Sequence, residues 1–173
     1  MHHPARALAW LFLVSLAAVV LFGVPDASPV RAGSAAVYDT TADGRQQIAA
    51  ALVKAKEDNR RVLIQWGGNW CPWCRRLHQL YEKDPNISSK LQHEYEVVYL
   101  DAGGKAKKNM DLATTYGVDL AAHGVPFLTI LDSDGKVVAN QETGSLENKD
   151  QKASPGHDPT AVLEFLTKYQ GPH

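Results

Sequence analysis

Only two cysteines, Cys71 and Cys74, occur in the 173 residues. With no second cysteine pair, a four-ligand zinc site is excluded. Arg75, rather than histidine, follows the second cysteine, so covalent haem attachment is excluded too. No cysteine follows the apolar N-terminal run, which argues against a lipoprotein. Neither sign of charge dominates: 18 basic and 19 acidic residues give a formal net charge of −1. Without a basic face, nucleic-acid binding is not indicated. The seven histidines lack clustered metal-ligand spacing, and the chain has no internal repeat. What is present, 45% hydrophobic and 21% charged residues, suits a globular chain that buries a core. The length suits one domain with modest extras.

The first 32 residues stand apart. Arg6 precedes an apolar stretch from Trp10 to Phe22, then come Pro25, Pro29 and the A-x-A-like exit Val30-Arg31-Ala32. This is the layout of a signal peptide over residues 1–32, leaving a domain at 33–173 with net charge −2. The rival reading is an uncleaved N-terminal membrane anchor, since Ala7 to Val24 borders on spanning length. The short apolar core and small-residue exit favour cleavage. Either way the expected location is periplasmic or otherwise exported, soluble after cleavage or anchored facing outward, where disulfides persist.

From Ala36 onward, strand and helix signals alternate. Val37-Tyr38 reads as a short strand, and Asp43 as the cap of a helix running to about Asn59. Val62 to Trp66 reads as a buried strand ended by Gly67 and Gly68. A helix then starts near Cys71, with Cys74, Leu77 and Tyr81 on one face and a kink or stop at Pro85. Tyr95 to Asp101 is the next strand, followed by a helix over about 105–116. Pro126 to Leu131 and Lys136 to Asn140 form a hairpin across the turn Asp132-Ser133-Asp134-Gly135. Asp158-Pro159 caps the last helix. The expected class is α/β: a central mixed β-sheet with helices on both faces. The polar stretch 143–157 is long for a loop in such a domain.

The chemistry concentrates in Trp70-Cys71-Pro72-Trp73-Cys74, where a buried strand passes into a helix. The first turn of a helix carries unpaired N–H groups and partial positive charge. Cys71 there has its thiolate stabilised and its reactivity raised. Cys74 lies one turn deeper, within reach for a disulfide. Cys71 is therefore the expected attacking sulfur, exposed, and Cys74 the resolving one. Pro72 fixes the first turn. A merely structural staple is the bland alternative. So small a ring contributes only about 2 kcal/mol, against about 4–5 kcal/mol for a hundred-residue loop.

This segment resembles the W-C-x-x-C active site of the thioredoxin superfamily, and Gly124-Val125-Pro126-Phe127 resembles that family's cis-proline motif. The likeness extends over about Ala36 to Tyr169 and is greatest to exported bacterial thioredoxin-like domains. It implies a thioredoxin-like fold and a protein thiol–disulfide oxidoreductase working through Cys71 and Cys74. By resemblance Pro126 is cis, Val125 docks the substrate backbone and Gly144 lines the groove. Trp70 packs beside the site, and Trp73 gives an exposed apolar rim. No organic cofactor is implied. Partners would be cysteine-containing protein substrates and an upstream redox partner, and a monomer is expected. A reductase is favoured over an oxidase, because no inserted helical domain is evident.

One departure matters. The family's buried aspartate, six residues before the first cysteine, is Gln65 here, which cannot titrate. Glu57, Asp101 and His123 are candidate helpers. A second functional reading is a copper or thiol-metal carrier using Cys71, Cys74 and His78. A third is a docking module with an incidental disulfide.

Overall fold

A computed structural model describes residues 36–103 and 108–171. The expected signal or anchor segment lies outside the described residues. Eleven segments follow in order: α1 (Gly44–Glu57), β1 (Arg61–Gly67), α2 (Pro72–Lys83), α3 (Pro85–Glu94), β2 (Tyr95–Asp101), α4 (Met110–Thr115), α5 (Leu120–His123), β3 (Phe127–Leu131), β4 (Val137–Glu142), a 3₁₀ turn (Gly144–Leu146) and α6 (Pro159–Lys168). The sheet order is β2-β1-β3-β4, with β1 parallel to β2 and the pairs β1/β3 and β3/β4 antiparallel.

β1 is central, and its alternation sorts the two faces. Val62, Ile64 and Trp66 pack under α1, α4 and α5 with Ile48, Ala51, Leu112 and Leu120. Leu63 points the other way, into Leu77, Ile87, Leu128, Val162 and Phe165 from α2, α3, β3 and α6. Each such fully buried aliphatic side chain contributes roughly 1.5–3 kcal/mol. Polar atoms inside are matched: the Trp66 indole donates to Thr129 Oγ1 at 2.9 Å, and Thr129 donates to Asn140 Oδ1 at 2.8 Å. The odd-numbered face of β1 carries Gln65 and Gly67 to the start of α2.

Helix ends follow their sequence signals. Asp43 accepts from Gln46 N at 3.0 Å, and Asp158 accepts from Thr160 N at 2.8 Å ahead of Pro159. Asp84 closes α2 and opens α3, accepting from Asn86 N at 2.9 Å and Ile87 N at 3.0 Å.

Two expectations are corrected. Val37-Tyr38 is not a strand: Tyr38 N donates to Asn69 Oδ1 at 3.0 Å, and Asn69 Nδ2 donates to Tyr38 O at 2.7 Å. A side-chain amide stands in for the neighbouring strand. The helix expected over 105–116 begins only at Met110, because Asn109 is left-handed with φ 58; residues 104–107 lie outside the described residues. A short helix, α5, follows it, capped by Asp119. The 143–157 stretch is held by its own bonds: Gln151 Nε2 donates to Asn148 O at 2.7 Å and to Gly156 O at 2.9 Å. An isolated bridge joins Glu147 to His157.

Candidate active site

β1 ends at Gly67, and the next four residues turn the chain into α2. A side chain on Gly67 would collide with Tyr38 Oη and, at 2.6 Å, with Cys74 Sγ. One on Gly68 would strike the Trp70 indole nitrogen. These two glycines let aromatic rings close over the turn. Cys71 N donates back to Gly68 O at 3.0 Å.

Cys71 is itself the cap of α2. Its backbone is extended (φ −88, ψ 113), and its sulfur accepts the Cys74 N–H at 3.1 Å. Pro72 occupies the first turn, where no N–H partner exists. A sulfur in this place faces the positive end of the helix, which favours thiolate over thiol. Cys71 and Cys74 are joined in a disulfide, with Cα atoms 5.3 Å apart. Cys74 is completely buried, and only 4% of Cys71 is open. The attacking sulfur expected to be exposed is thus nearly covered in this oxidised state, packed with Tyr38 and bordered by Trp73 and Val125.

The Val125–Pro126 peptide bond is cis. Cys71 Sγ lies 3.7 Å from Val125 O. Among the described residues, neither the N–H nor the C=O of Val125 bonds to another backbone group. Pro126 is buried, and its carbonyl accepts from Thr143 Oγ1 at 2.7 Å. Gly144 follows Thr143 and opens the 3₁₀ turn there. Thr143 was invisible as a site residue in the sequence.

Trp70 lies beside Val125, and Trp73 is less open than expected. Trp70 is the exposed ring, at 55%, and walls an apolar groove of about 460 Å³ with Gly103, Met110, Leu120, Gly124 and Val125. Trp73 is half-buried, edge-on to His157 with ring centres 5.8 Å apart and beneath the Arg76 guanidinium. The 143–157 stretch supplies that cover, and sequence periodicity on α2 contains no sign of it.

Gln65, at the position of the family's acid, is fully buried and donates to Tyr38 Oη and to Cys74 O. Of the candidate helpers, Glu57 sits at the exposed end of α1 and His123 at the exposed end of α5, against Phe127. Asp101 alone approaches the site: it is buried, pairs in register with Gly67 and has its carboxyl pushed above the usual range by burial. His78 is engaged elsewhere. Its Nδ1 lies 3.0 Å from Tyr99 Oη, and its Nε2 lies 3.4 Å from Glu82 Oε1. Among the described residues no group of three or more His, Cys, Asp or Glu is arranged to hold a metal ion. Asp132 to Gly135 is a turn, with Asp132 Oδ1 accepting from Asp134 N and Lys136 N.

The sequence model of a thioredoxin-like domain matches residues 48–153. The chain belongs to the thioredoxin-like domain family. It is 28% identical over 111 residues to a protein disulfide-isomerase of Ricinus communis, covering 64% of this chain and 19% of that protein. Against the protein disulfide-isomerase of Triticum aestivum the figures are 30% identity, 64% and 18%. The chain spans less than a fifth of the length of these curated relatives. The crystal structure of a disulphide isomerase from Xylella fastidiosa Temecula1 is 29% identical, with a TM-score of 0.64 over 76% of this chain and 95% of that one. The reduced C-terminal domain of Neisseria meningitidis DsbD, 16% identical with a TM-score of 0.53, shares the fold, covering 75% of this chain and 98% of that one. The thioredoxin-like family thus accounts for the mixed four-stranded sheet and the helices on both its faces.

Proposed function

We propose that this protein reduces or exchanges disulfides in exported proteins, cycling Cys71 and Cys74 between dithiol and disulfide. It is a thiol–disulfide oxidoreductase. In the reduced form the Cys71 thiolate, stabilised at the head of α2, attacks a substrate disulfide. One S–S bond breaks, a mixed disulfide forms, and a substrate thiolate departs. Cys74 then attacks Cys71 Sγ, closing the internal disulfide and releasing the second substrate sulfur. Two electrons and the one proton of Cys74 pass from the pair to the substrate, since Cys71 begins as the thiolate. Val125 offers its unpaired backbone groups to an extended peptide beside Cys71, in the manner of an added strand. Pro126 and Gly144 border that peptide. Trp70 supplies an apolar wall, and Trp73 and Pro72 shape the other side.

The observation that carries this reading is the Cys71–Cys74 disulfide at the capped N-terminus of α2, next to Val125, whose backbone bonds to no other backbone group among the described residues. The cysteine pair is the redox currency, so no organic cofactor is required. An upstream redox partner re-reduces the pair, and the working form is a monomer. The apolar N-terminal segment, 1–32, directs the domain out of the cytoplasm as a signal peptide or holds it as an anchor.

The test is reduction of a disulfide-bonded protein such as insulin, with dithiothreitol as the recycling reductant. Wild type accelerates it, and Cys71→Ser loses more than 99% of that acceleration. Cys74→Ser accumulates covalent adducts that reductant releases. A glutathione titration placing the pair near thioredoxin's roughly −270 mV supports a donor; a value near −120 mV makes it an oxidant. Full exchange activity in Cys71→Ser would end this reading.

A further inference from the structure

The resolving sulfur must lose its proton in a place closed to water. Cys74 is completely buried, and the β1 residue beside it is Gln65, an amide with no proton to take or give at working pH. The same amide fixes something else. Its nitrogen donates to Tyr38 Oη and to Cys74 O, tying the phenol to the helix turn that bears the sulfur. Tyr38 is 1% exposed, and among the described residues its hydroxyl accepts this bond and donates none. A methyl group on Gly67 would contact both Tyr38 Oη and Cys74 Sγ, so the oxygen and the sulfur flank one hollow floored by that glycine. A phenol with an unused proton therefore faces a sulfur that becomes an acceptor when the disulfide opens.

We propose that Tyr38 is the positioning residue of the resolving step: held by Gln65, its hydroxyl donates a hydrogen bond to Cys74 Sγ in the reduced protein and stabilises the thiolate that attacks Cys71. The proposal rests on the exchange reading above. Burial, with the charges of Tyr99 and Asp101 adding to it, holds the Tyr38 phenol well above its ordinary value, so it remains a neutral donor throughout the working range. The titratable groups acting on it are Tyr99 and Asp101 of β2, and Tyr38 in turn acts on Tyr81 of α2. Tyr38 is not a base. The proton that Cys74 loses leaves with the departing substrate sulfur, while the S–S bond between Cys71 and substrate breaks and that between Cys71 and Cys74 forms. A hydrogen bond to a charged acceptor is worth more than one between neutral groups, so its loss falls mainly on the thiolate.

The experiment uses the full chain, reduced, mixed with 5,5′-dithiobis(2-nitrobenzoate) in a stopped-flow instrument. Cys71 releases the first nitrothiolate in a fast phase, and Cys74 releases the second on closing the disulfide. In Tyr38→Phe the second phase slows about tenfold or more, and its pH midpoint rises. The first phase stays within about twofold of wild type. An unchanged second phase in Tyr38→Phe overturns the proposal. Gln65→Met removes the tie and keeps the phenol, and it too slows the second phase alone. Should Tyr38→Phe not fold, an unchanged second phase in Gln65→Met overturns the proposal instead. Failure of the exchange reading looks different: wild type itself then releases no second equivalent.

Discussion

Gly67 and Gly68 admit two rings, a phenol over one and an indole over the other. Neither glycine needs a left-handed backbone here; each is small because its neighbour is close. The oxygen and sulfur above Gly67 belong to side chains fixed by burial, so an added methyl group has nowhere to go. Gly67→Ala is expected to destabilise the oxidised protein by about 1–3 kcal/mol, measured by urea unfolding. The Trp70 and Trp73 pair shows what single residues in a sequence conceal. Both are tryptophans next to a cysteine, yet Trp73, expected as an exposed rim, is half-buried, and Trp70 is the more open ring. Which ring is covered depends on His157 and Arg76, one of them 84 positions along the chain from Trp73. The cysteines and Pro126 were legible, because helix capping and a motif are local. Tyr38 was legible as a residue but not as a neighbour of Cys74.

At the scale of elements, Asp84 serves two helices with one residue. Its backbone N–H closes α2 on Leu80 O, and its carboxylate caps α3 through Asn86 and Ile87. Asp84→Ala removes the cap and should cost about 1 kcal/mol, read as a shift in the unfolding midpoint at constant slope. Exchange chemistry at Cys71 should be unaltered, since the cap stands at the far end of α2. Signals of this kind made most elements readable. VLIQW, YEVVYLD and PFLTIL are strands because β-branched and aromatic residues fill a sheet covered on both faces. Proline after aspartate marks the start of α6 as expected, and also that of α3, where Pro85 reads in the sequence only as a kink or stop of α2. The failures have a common cause. Val37-Tyr38 has strand-forming residues, yet its backbone partner is the Asn69 side chain, and no periodicity encodes that. α5 is a single turn, too short to establish a period of 3.6 residues.

Across the whole molecule, the long polar connection between β4 and α6 carries a buried histidine. His157 is 5% exposed, both ring nitrogens lack hydrogen-bond partners among the described residues, and burial pushes its pKa from 6.5 down to about 4. The unfolded chain takes up a proton near pH 6.5 that the folded chain refuses until about pH 4. Stability is therefore lost as pH falls through that window and levels off below it. Asp101 and Glu147, raised by burial, act in the opposite sense over the carboxylate range. Urea midpoints measured from pH 7 to 4 for wild type and His157→Leu separate the two effects. The variant should lack the acid-side loss, and equal slopes in both would exclude His157 as its source.

The amide of Asn69 grips both backbone groups of Tyr38 and makes the segment around Tyr38 one piece with the cysteine turn. A shortened gene product starting at Ile48, where the family match begins, would retain both sulfurs and all four strands. It would still spell the motif, but the hydroxyl beside the inner sulfur would be gone. The reactive pair and its surroundings are thus inherited from separate stretches of the coding sequence, and trimming one leaves the other misleadingly intact.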